Sequence, residues 1–475
     1  MKKLFIYSLL FVGLASSCTK DFADYNTDKK NPVEVKGEFL FSSAQKEFAD
    51  QMSSTSVNLN VFKMFVQYWT ETTYIDEANY DIQTRKIPDN NYSTFYRSVI
   101  TPLNQAAEKI GAEGTGAVVA NKLAIIDLMK VFTYHELVNS FGDIPYTESN
   151  DIENISPKYD DALAIYKDLL VRIDKDLAKM DASVASYSDG ADLIYDGDVA
   201  KWIKFANSLK LKIAINAADD NGIDSQKIVN DVMGKVFDSA DDNMLFQYQS
   251  TQPNTNPMFV SLVASGRKDF VPANTLVDFM NIKTDPRMDA YFTDKVGGVY
   301  KGGKYGYSNS YPASSHISDK VQEATFPGIL MTYSEVQFYL AEAADRGYIS
   351  DAAGYYKKAI EASFDFWGVT GADAYVTANP YNGINDIAYE SWVAAYTRGD
   401  IAYTTYRRLD YPQMNRPQEA STDDGKVPRR LTYPINEQTL NKDNYDAAAA
   451  KIGGDKMETL LFWDTKAPGD SNSQS

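Results

Sequence analysis

Apolar residues recur at helical spacing along most of this chain. In "NKLAIIDLMKVFTYHELVNSFGDIP" (121–145), Ile125, Leu128, Met129 and Phe132 fall at i, i+3, i+4 and i+7. Gly142 and then Pro145 close the segment in the order expected of a helix end. In "DVAKWIKFANSLKLKIAINAADDNG" (198–222), Trp202, Phe205, Leu209 and Ile213 share one face. Lys201, Lys204 and Lys212 lie among them and are read as solvated. The clearest unit is "MTYSEVQFYLAEAADRGYISDAAGYYKKAIEASFDFWGV" (331–369). Thr332 and Glu335 make a capping box, and Val336, Tyr339, Leu340 and Ala343 follow at helical spacing. Gly347 stops that helix and Ser350 is placed to cap the next, where Ala352, Tyr356 and Ala359 stand four and three apart. Small residues at that spacing let two helices pack closely, as in a tetratricopeptide unit.

Between the helices run irregular stretches rich in Gly, Asn, Ser and Tyr, the longest near 74–92, 248–258, 294–328 and 410–445. Loops of that length inside a compact domain usually carry function. No composition break divides the chain into separate domains.

The first residues have a different pattern. Met1-Lys2-Lys3 is a short basic region, Leu4 to Leu14 is apolar, and Ala15-Ser16-Ser17 is a small-residue cleavage zone. This is a secretory signal peptide. Cys18, directly after it, is the only cysteine of 475 residues, so it has no disulfide partner within the chain. The arrangement resembles a bacterial lipobox, with Ala15 where leucine is usual, in which the cysteine is lipidated and becomes the mature N-terminus. The polar, acidic stretch that follows then reads as a flexible tether.

Charge and chemistry narrow the function. A net charge of −18 with no basic stripe repels nucleic acid. There are two histidines. His135 sits inside a predicted helix beside Glu136 and is read as structural, and His316 lies far from it in sequence. That is too little for a zinc site or a Cys-His nucleophile. Ser-x-x-Lys occurs at Ser17, Ser43 and Ser265 without companion motifs, so it carries no catalytic meaning. "GVYKGGKY" has Gly298, Gly303 and Lys304 of a P-loop, but Tyr305 stands where Ser or Thr must ligate magnesium. The adjacent acids Asp160-Asp161, Asp219-Asp220, Asp241-Asp242 and Asp423-Asp424 are read as caps and turns. No cofactor, metal or catalytic residue is expected. Tyrosine is abundant, with 33 copies, and its flat apolar face with a polar tip suits contact with polar ligands.

Several segments together resemble the SusD/RagB family of outer-membrane nutrient-binding lipoproteins of Bacteroidetes. They are "CTKDFADYNTDKKNP" (18–32), "FGDIPYTES" (141–149), "KWIKFANSLKLKIA" (201–214), "MTYSEVQFYLAEAADRGY" (331–348), "YRRLDYP" (406–412) and "PRRLTYPINEQTLN" (428–441). The resemblance implies a mostly α-helical SusD-like fold, with four tetratricopeptide-like helix pairs and long inserted ligand-binding loops. It implies a signal peptide over 1–17, a lipidated tether over 18–36 and a single domain over 37–475. It also implies a non-enzymatic, surface-facing lipoprotein of the outer membrane. Such a protein captures oligosaccharides, or in some relatives oligopeptides, and delivers them to a SusC-like TonB-dependent barrel.

The family motifs are structural, so candidate ligand contacts come from the residues themselves. Aromatics off helical spacing cluster in "QYWTETTYIDEANYDIQTRKIPDNNY" as Tyr68, Trp69, Tyr74, Tyr80 and Tyr92, with Asp76, Arg85 and Asn91 among them. A second cluster holds Tyr305, Tyr307, Asn309 and Tyr311 on a glycine-rich loop, after Tyr300. The expectation is that the two loops meet, that rings stack on sugar C–H faces, and that Asp, Asn and Arg bind hydroxyls. Trp202, Trp367 and Trp392 are read as core. An oligopeptide ligand on the same scaffold, a surface hydrolase and a β-rich adhesive protein are the competing readings; the last two are disfavoured by the missing nucleophile motif and by the helical pattern.

Overall fold

A computed structural model describes residues 35–151, 153–188 and 190–465. The signal segment, Cys18 and the tether as far as residue 34 lie outside the described residues. Ten helices, each packed on the next along most of the chain, build the body: α1 Gly37–Ser53, α2 Thr101–Gly111, α3 Ala117–Phe141, α4 Ala162–Leu177, α5 Val199–Asn216, α6 Ser225–Val232, α7 Tyr333–Asp345, α8 Ala352–Trp367, α9 Ile384–Ala394 and α10 Gly399–Leu409. α3, α5, α7 and α8 lie where the 3.6-residue pattern places helices, and the most extensive packing joins α7 to α8 and α1 to α2. Gly142 ends α3 as expected: at φ 85° it takes a conformation costly for other residues, and its N–H returns to Val138 O at 2.8 Å. Gly399 opens α10 against the backbone of Phe62–Lys63, where an added Cβ would come within 2.5 Å of the Lys63 nitrogen.

Three two-stranded antiparallel ribbons are set into the loops. β1 (Trp69–Glu71) pairs with β3 (Phe270–Pro272), β2 (Met244–Phe246) with β6 (Gly328–Met331), and β4 (Phe292–Thr293) with β5 (His316–Ile317). One continuous apolar core runs through the helices, and a smaller one lies under α7, α8 and α9. Trp202, Trp367 and Trp392 are all buried in the larger core, as read from the sequence.

Three local expectations are corrected. Lys212 is not solvated: it is 1% exposed and lies between Glu136 of α3 at 3.2 Å and Glu335 of α7 at 3.6 Å. The reason is that α5 is covered by α3, α4 and α7 together, so its polar face is also interior, and a buried ammonium needs carboxylates. Burial alone would raise the Glu136 carboxyl, but the Lys212 ammonium and the His135 hydrogen bond outweigh it and hold it down to about 2. The Thr332 cap forms only half its box: Thr332 Oγ1 accepts from Glu335 N at 3.2 Å, while the Glu335 carboxylate turns to Arg398 at 2.5 Å. Asp351, not Ser350, caps α8, accepting from Gly354 N at 3.1 Å.

His135 is fully buried and hydrogen-bonded to Glu136, Asn139 and Asn216, a structural setting in which burial keeps the imidazole neutral. Arg287 is a fully buried ion site. It binds Asp285 and Glu390, each at 2.6 Å, and lies 5.1 Å from the Phe364 ring and 5.4 Å from that of Tyr375.

Candidate functional site

The β1–β3 ribbon decides where the loops go. Its register pairs Glu71 with Phe270, and just beyond it Thr72 N donates to Asp269 O at 2.8 Å while Thr72 Oγ1 donates to Lys268 O at 2.7 Å. The chain after β1 therefore leaves beside the segment that precedes β3. A cleft of about 520 Å³ opens between them, bounded by Glu71, Tyr74 and Arg85 on one side, Arg267, Asp269 and Phe270 on the other, and Val260 on a short helical turn.

Tyr74 is the conspicuous side chain here. It is 65% exposed, although large aromatic rings are normally buried. Its backbone has φ 58°, a left-handed conformation that a bulky residue adopts at a cost and that concentrates at functional sites. The Arg267 guanidinium stands 5.8 Å from its ring centroid and is paired with Asp269 at 3.1 Å. Val260, which lines the cleft, is 42% exposed.

The cleft's charged groups are ion-paired within it, two guanidiniums with three carboxylates. Arg85 is bound by Glu77 and by Asp76 at 3.3 Å. Glu71 and Glu77 are close enough to act on one another's protonation, and Ala78 N donates to Glu71 at 3.1 Å. Burial, followed by the neighbouring Glu77, pushes the Glu71 carboxyl far up, to about 10, so it is neutral at physiological pH. An exposed ring above paired charges and a neutral acid is suited to a ligand that is polar but uncharged.

The two loops singled out by the sequence do meet. Asn309 N donates to Thr72 O at 3.2 Å, Asn309 Nδ2 to Glu71 O at 3.0 Å, and Asn79 Nδ2 to Gly306 O at 3.0 Å. Most of the rings, however, seal that junction from within. Tyr68, Trp69, Tyr80 and Tyr305 have at most 1% exposure, and these four are corrected from ligand contacts to core. Tyr68 OH binds Trp392 O, Trp69 Nε1 donates to Tyr396 OH at 3.0 Å, and Tyr80 packs on Phe65 and Tyr305. Asn91 is likewise buried, donating to Leu59 O at 3.3 Å. Tyr92 is half-buried against Tyr96 and Phe141, among helices rather than at the cleft. Asn309 spends its amide on Glu71, Lys304 and Tyr307 carbonyls, so it holds the loop. Tyr307 lies under the Lys304 ammonium, 3.6 Å from its ring centroid.

Tyr311 reaches the cleft's neighbourhood by another route. It borders a small adjoining hollow together with Arg267, Lys268, Asp269 and Phe270. Successive residues thus serve two tyrosines: Arg267 stands over Tyr74, and Lys268 stands 5.2 Å from the Tyr311 ring centroid. The segment 265–269, "SGRKD", was missed by sequence reasoning. Its signal was a basic pair after Gly266 just before an apolar strand, which is common in turns and pointed to nothing by itself. Among the described residues no cluster of His, Cys, Asp and Glu is placed to hold a metal, and no helix is long and apolar enough to cross a membrane.

A family model described as "SusD-like_2: Starch-binding associating with outer membrane" matches residues 29–434. Solved structures share the fold. A SusD homolog from Bacteroides uniformis is 24% identical, with a TM-score of 0.77, over 90% of this chain and 99% of that one. A SusD-like protein from Bacteroides thetaiotaomicron is 24% identical, with a TM-score of 0.77, over 91% and 99%. A chitin-binding SusD homolog from Flavobacterium johnsoniae is 21% identical, with a TM-score of 0.76, over 90% and 99%. No curated protein matches the chain.

Proposed function

This chain belongs to the SusD-like family of outer-membrane nutrient-binding proteins, whose members bind rather than catalyse, and on that premise we propose that it captures oligosaccharides at the Tyr74–Arg267 cleft. The observation that carries the reading is Tyr74 itself, a two-thirds exposed ring held in a strained backbone above charges that are paired with one another. A sugar offers an apolar C–H face to such a ring and hydroxyls to Arg85, Arg267 and Asp269 around it. Tyr311 extends the same surface past Lys268. Asp76 acts through Arg85, which it helps to fix.

The delivery route follows from the premise as a proposal. Residues 1–17 direct export, Cys18 carries the lipid, 18–36 is the tether, and 37–475 forms one domain that faces outward over a SusC-like TonB-dependent barrel. The paired helices α7–α8 and their counterparts are read as tetratricopeptide-like scaffold units. Oligopeptides remain the second ligand class on this scaffold. The ion pairs already made within the cleft favour the neutral glycan over them.

Isothermal titration of the whole lipoprotein in detergent tests the reading, with malto-oligosaccharides, N-acetylated chito-oligosaccharides and mixed tri- to hexapeptides as probes. Saturable binding of a glycan that weakens in Tyr74→Ala is expected. Binding of peptides alone moves the proposal to the second ligand class, and glycan binding indifferent to Tyr74 moves it away from this cleft.

A further inference from the structure

The turn after α1 forms part of the cleft wall, where Thr55, Ser56 and Val57 line it together with Glu71 of β1. Three neighbours fix that turn. Lys63 Nζ donates to Ser53 O at 3.1 Å and to Ser54 O at 2.8 Å, Asn60 Nδ2 donates to Gln51 O at 2.9 Å, and Asn90 Nδ2 donates to Asn58 O at 3.0 Å. Thr55 is fully buried in this held turn, yet its Oγ1 has no hydrogen-bond partner among the described residues. A buried hydroxyl left unpaired is costly, and native structures contain few of them. Other hydroxyls of the same wall are spent: Ser56 Oγ accepts from Asn58 N at 3.3 Å, and Ser265 Oγ donates to Ser261 O at 2.7 Å and accepts from Arg267 N at 3.1 Å.

Glu71 lines the same cleft with 2% of its surface open, and Ala78 N fixes its Oε2. Glu77, which acts on Glu71, is fully buried and paired with Arg85. A carboxyl that keeps its proton both donates and accepts, as a threonine hydroxyl does, and each hydroxyl of a sugar does the same. We propose that Thr55 and Glu71 are ligand contacts: together they bind a hydroxyl of the sugar whose ring lies on Tyr74, and so give the cleft a second point of attachment. This rests on the reading of the cleft as a glycan site, and it adds a contact that selects. An apolar ring alone accepts any C–H face, whereas a polar pair at a fixed place accepts only a sugar with a hydroxyl at the matching position.

Titration calorimetry of the whole lipoprotein in detergent, with maltoheptaose and N-acetylchitohexaose as probes, is read beside urea unfolding of the same samples. Thr55→Val removes the hydroxyl and keeps the shape. Affinity for the probe that the wild type binds more tightly is expected to fall about fivefold or more. The urea midpoint is expected to stay level or rise, because the free protein loses no bond. Opposite signs separate a ligand contact from a structural one. Glu71→Gln keeps a polar tip and is expected to bind within about twofold of the wild type. Glu71→Met, of similar length and without a polar tip, is expected to lose about fivefold or more.

A lower urea midpoint in Thr55→Val would overturn the proposal, since the hydroxyl would then have a partner in the free protein. Thr55→Val and Glu71→Met both binding as the wild type does would overturn it too, and Tyr74→Ala tells how far that failure reaches. A weakened Tyr74→Ala keeps the cleft as the glycan site and removes only these two contacts, while an unaffected Tyr74→Ala removes the cleft. A wild type that binds neither probe overturns the glycan reading and this inference with it.

Discussion

Replacing Tyr74 by alanine separates binding from folding more cleanly than any other change in the cleft. A tyrosine ring contributes about 200 Å² of surface when fully covered, and 65% of the Tyr74 surface is exposed in the free protein. The Arg267 guanidinium already occupies space 5.8 Å from the ring centroid, so a sugar would cover one face, about 65 Å² at roughly half of the exposed area. At about 25 cal/mol per Å² that is about 1.6 kcal/mol, or roughly a 15-fold loss of affinity. Stability should barely change, because the ring leaves no cavity and surface changes of this kind stay within about 0.5 kcal/mol. Tyr74→Gly is the control for the backbone. At φ 58° glycine relieves strain of about 1 kcal/mol, which offsets its extra unfolded-state entropy of about 0.5–1 kcal/mol. Both variants should therefore unfold near the wild-type denaturant midpoint and bind glycan about equally poorly by titration calorimetry. Affinity within twofold of wild type in both would refute stacking on Tyr74. A large drop in midpoint in both would show that the ring is structural despite its exposure.

Other changes test the scaffold and its charges. Arg287→Ala removes the guanidinium that bridges buried Asp285 and Glu390, leaving Glu390 only the more distant Lys283 ammonium at 3.7 Å, and should cost about 3 kcal/mol, read as a shift in urea midpoint at an unchanged slope. Glu71 keeps its proton in the folded protein up to about pH 10 but loses it in the unfolded chain near the ordinary carboxylate value, so folding grows weaker as pH rises between the two. Glu71→Gln keeps the hydrogen bonds without that penalty and should raise the melting temperature at pH 8, with the gain shrinking towards pH 5; a gain equal at both pH values would contradict the shared-proton reading. Cys18→Ser should move the protein from the membrane fraction to the soluble one and abolish labelling by a clickable palmitate analogue, whereas retained labelling would exclude Cys18 as the lipid site.

α3, α5, α7 and α8 were legible in the sequence because burial repeats every three or four residues regardless of what lies opposite. The charged interior was not. "KWIKFANSLKLKIA" places Lys212 at the edge of its apolar stripe, where a long side chain can reach water, and only tertiary packing reveals that α3, α4 and α7 together cover that edge. Lys212 then becomes a buried cation whose two carboxylates come from segments 76 residues before it and 123 after it. No local pattern encodes a pairing of that range. The Ser350–Asp351 choice was a one-residue ambiguity between two good capping residues, settled by which side chain reaches the Gly354 nitrogen.

The cleft shows the same limit in sharper form. The off-period aromatics of 68–92 and 300–311 correctly marked two loops that meet, yet the rings that cause the meeting are the ones that cannot touch a ligand. Tyr80 and Tyr305 are buried because each supplies the other's apolar partner, and Trp69 because Tyr396 offers its indole N–H an oxygen. A loop needs such anchors before it can hold an exposed ring still. Aromatic clustering in a loop therefore reports anchoring and display together, and the sequence does not divide one from the other. Backbone conformation does so here. Tyr74 combines a left-handed φ with an exposed ring, whereas Tyr80, also left-handed at φ 68°, turns its ring into the core. Burial accounts for the strain at Tyr80 through packing gained. At Tyr74 the ring gains only the Arg267 contact within the chain and keeps 65% of its surface exposed over the cleft, which is why the proposed stacking is placed there.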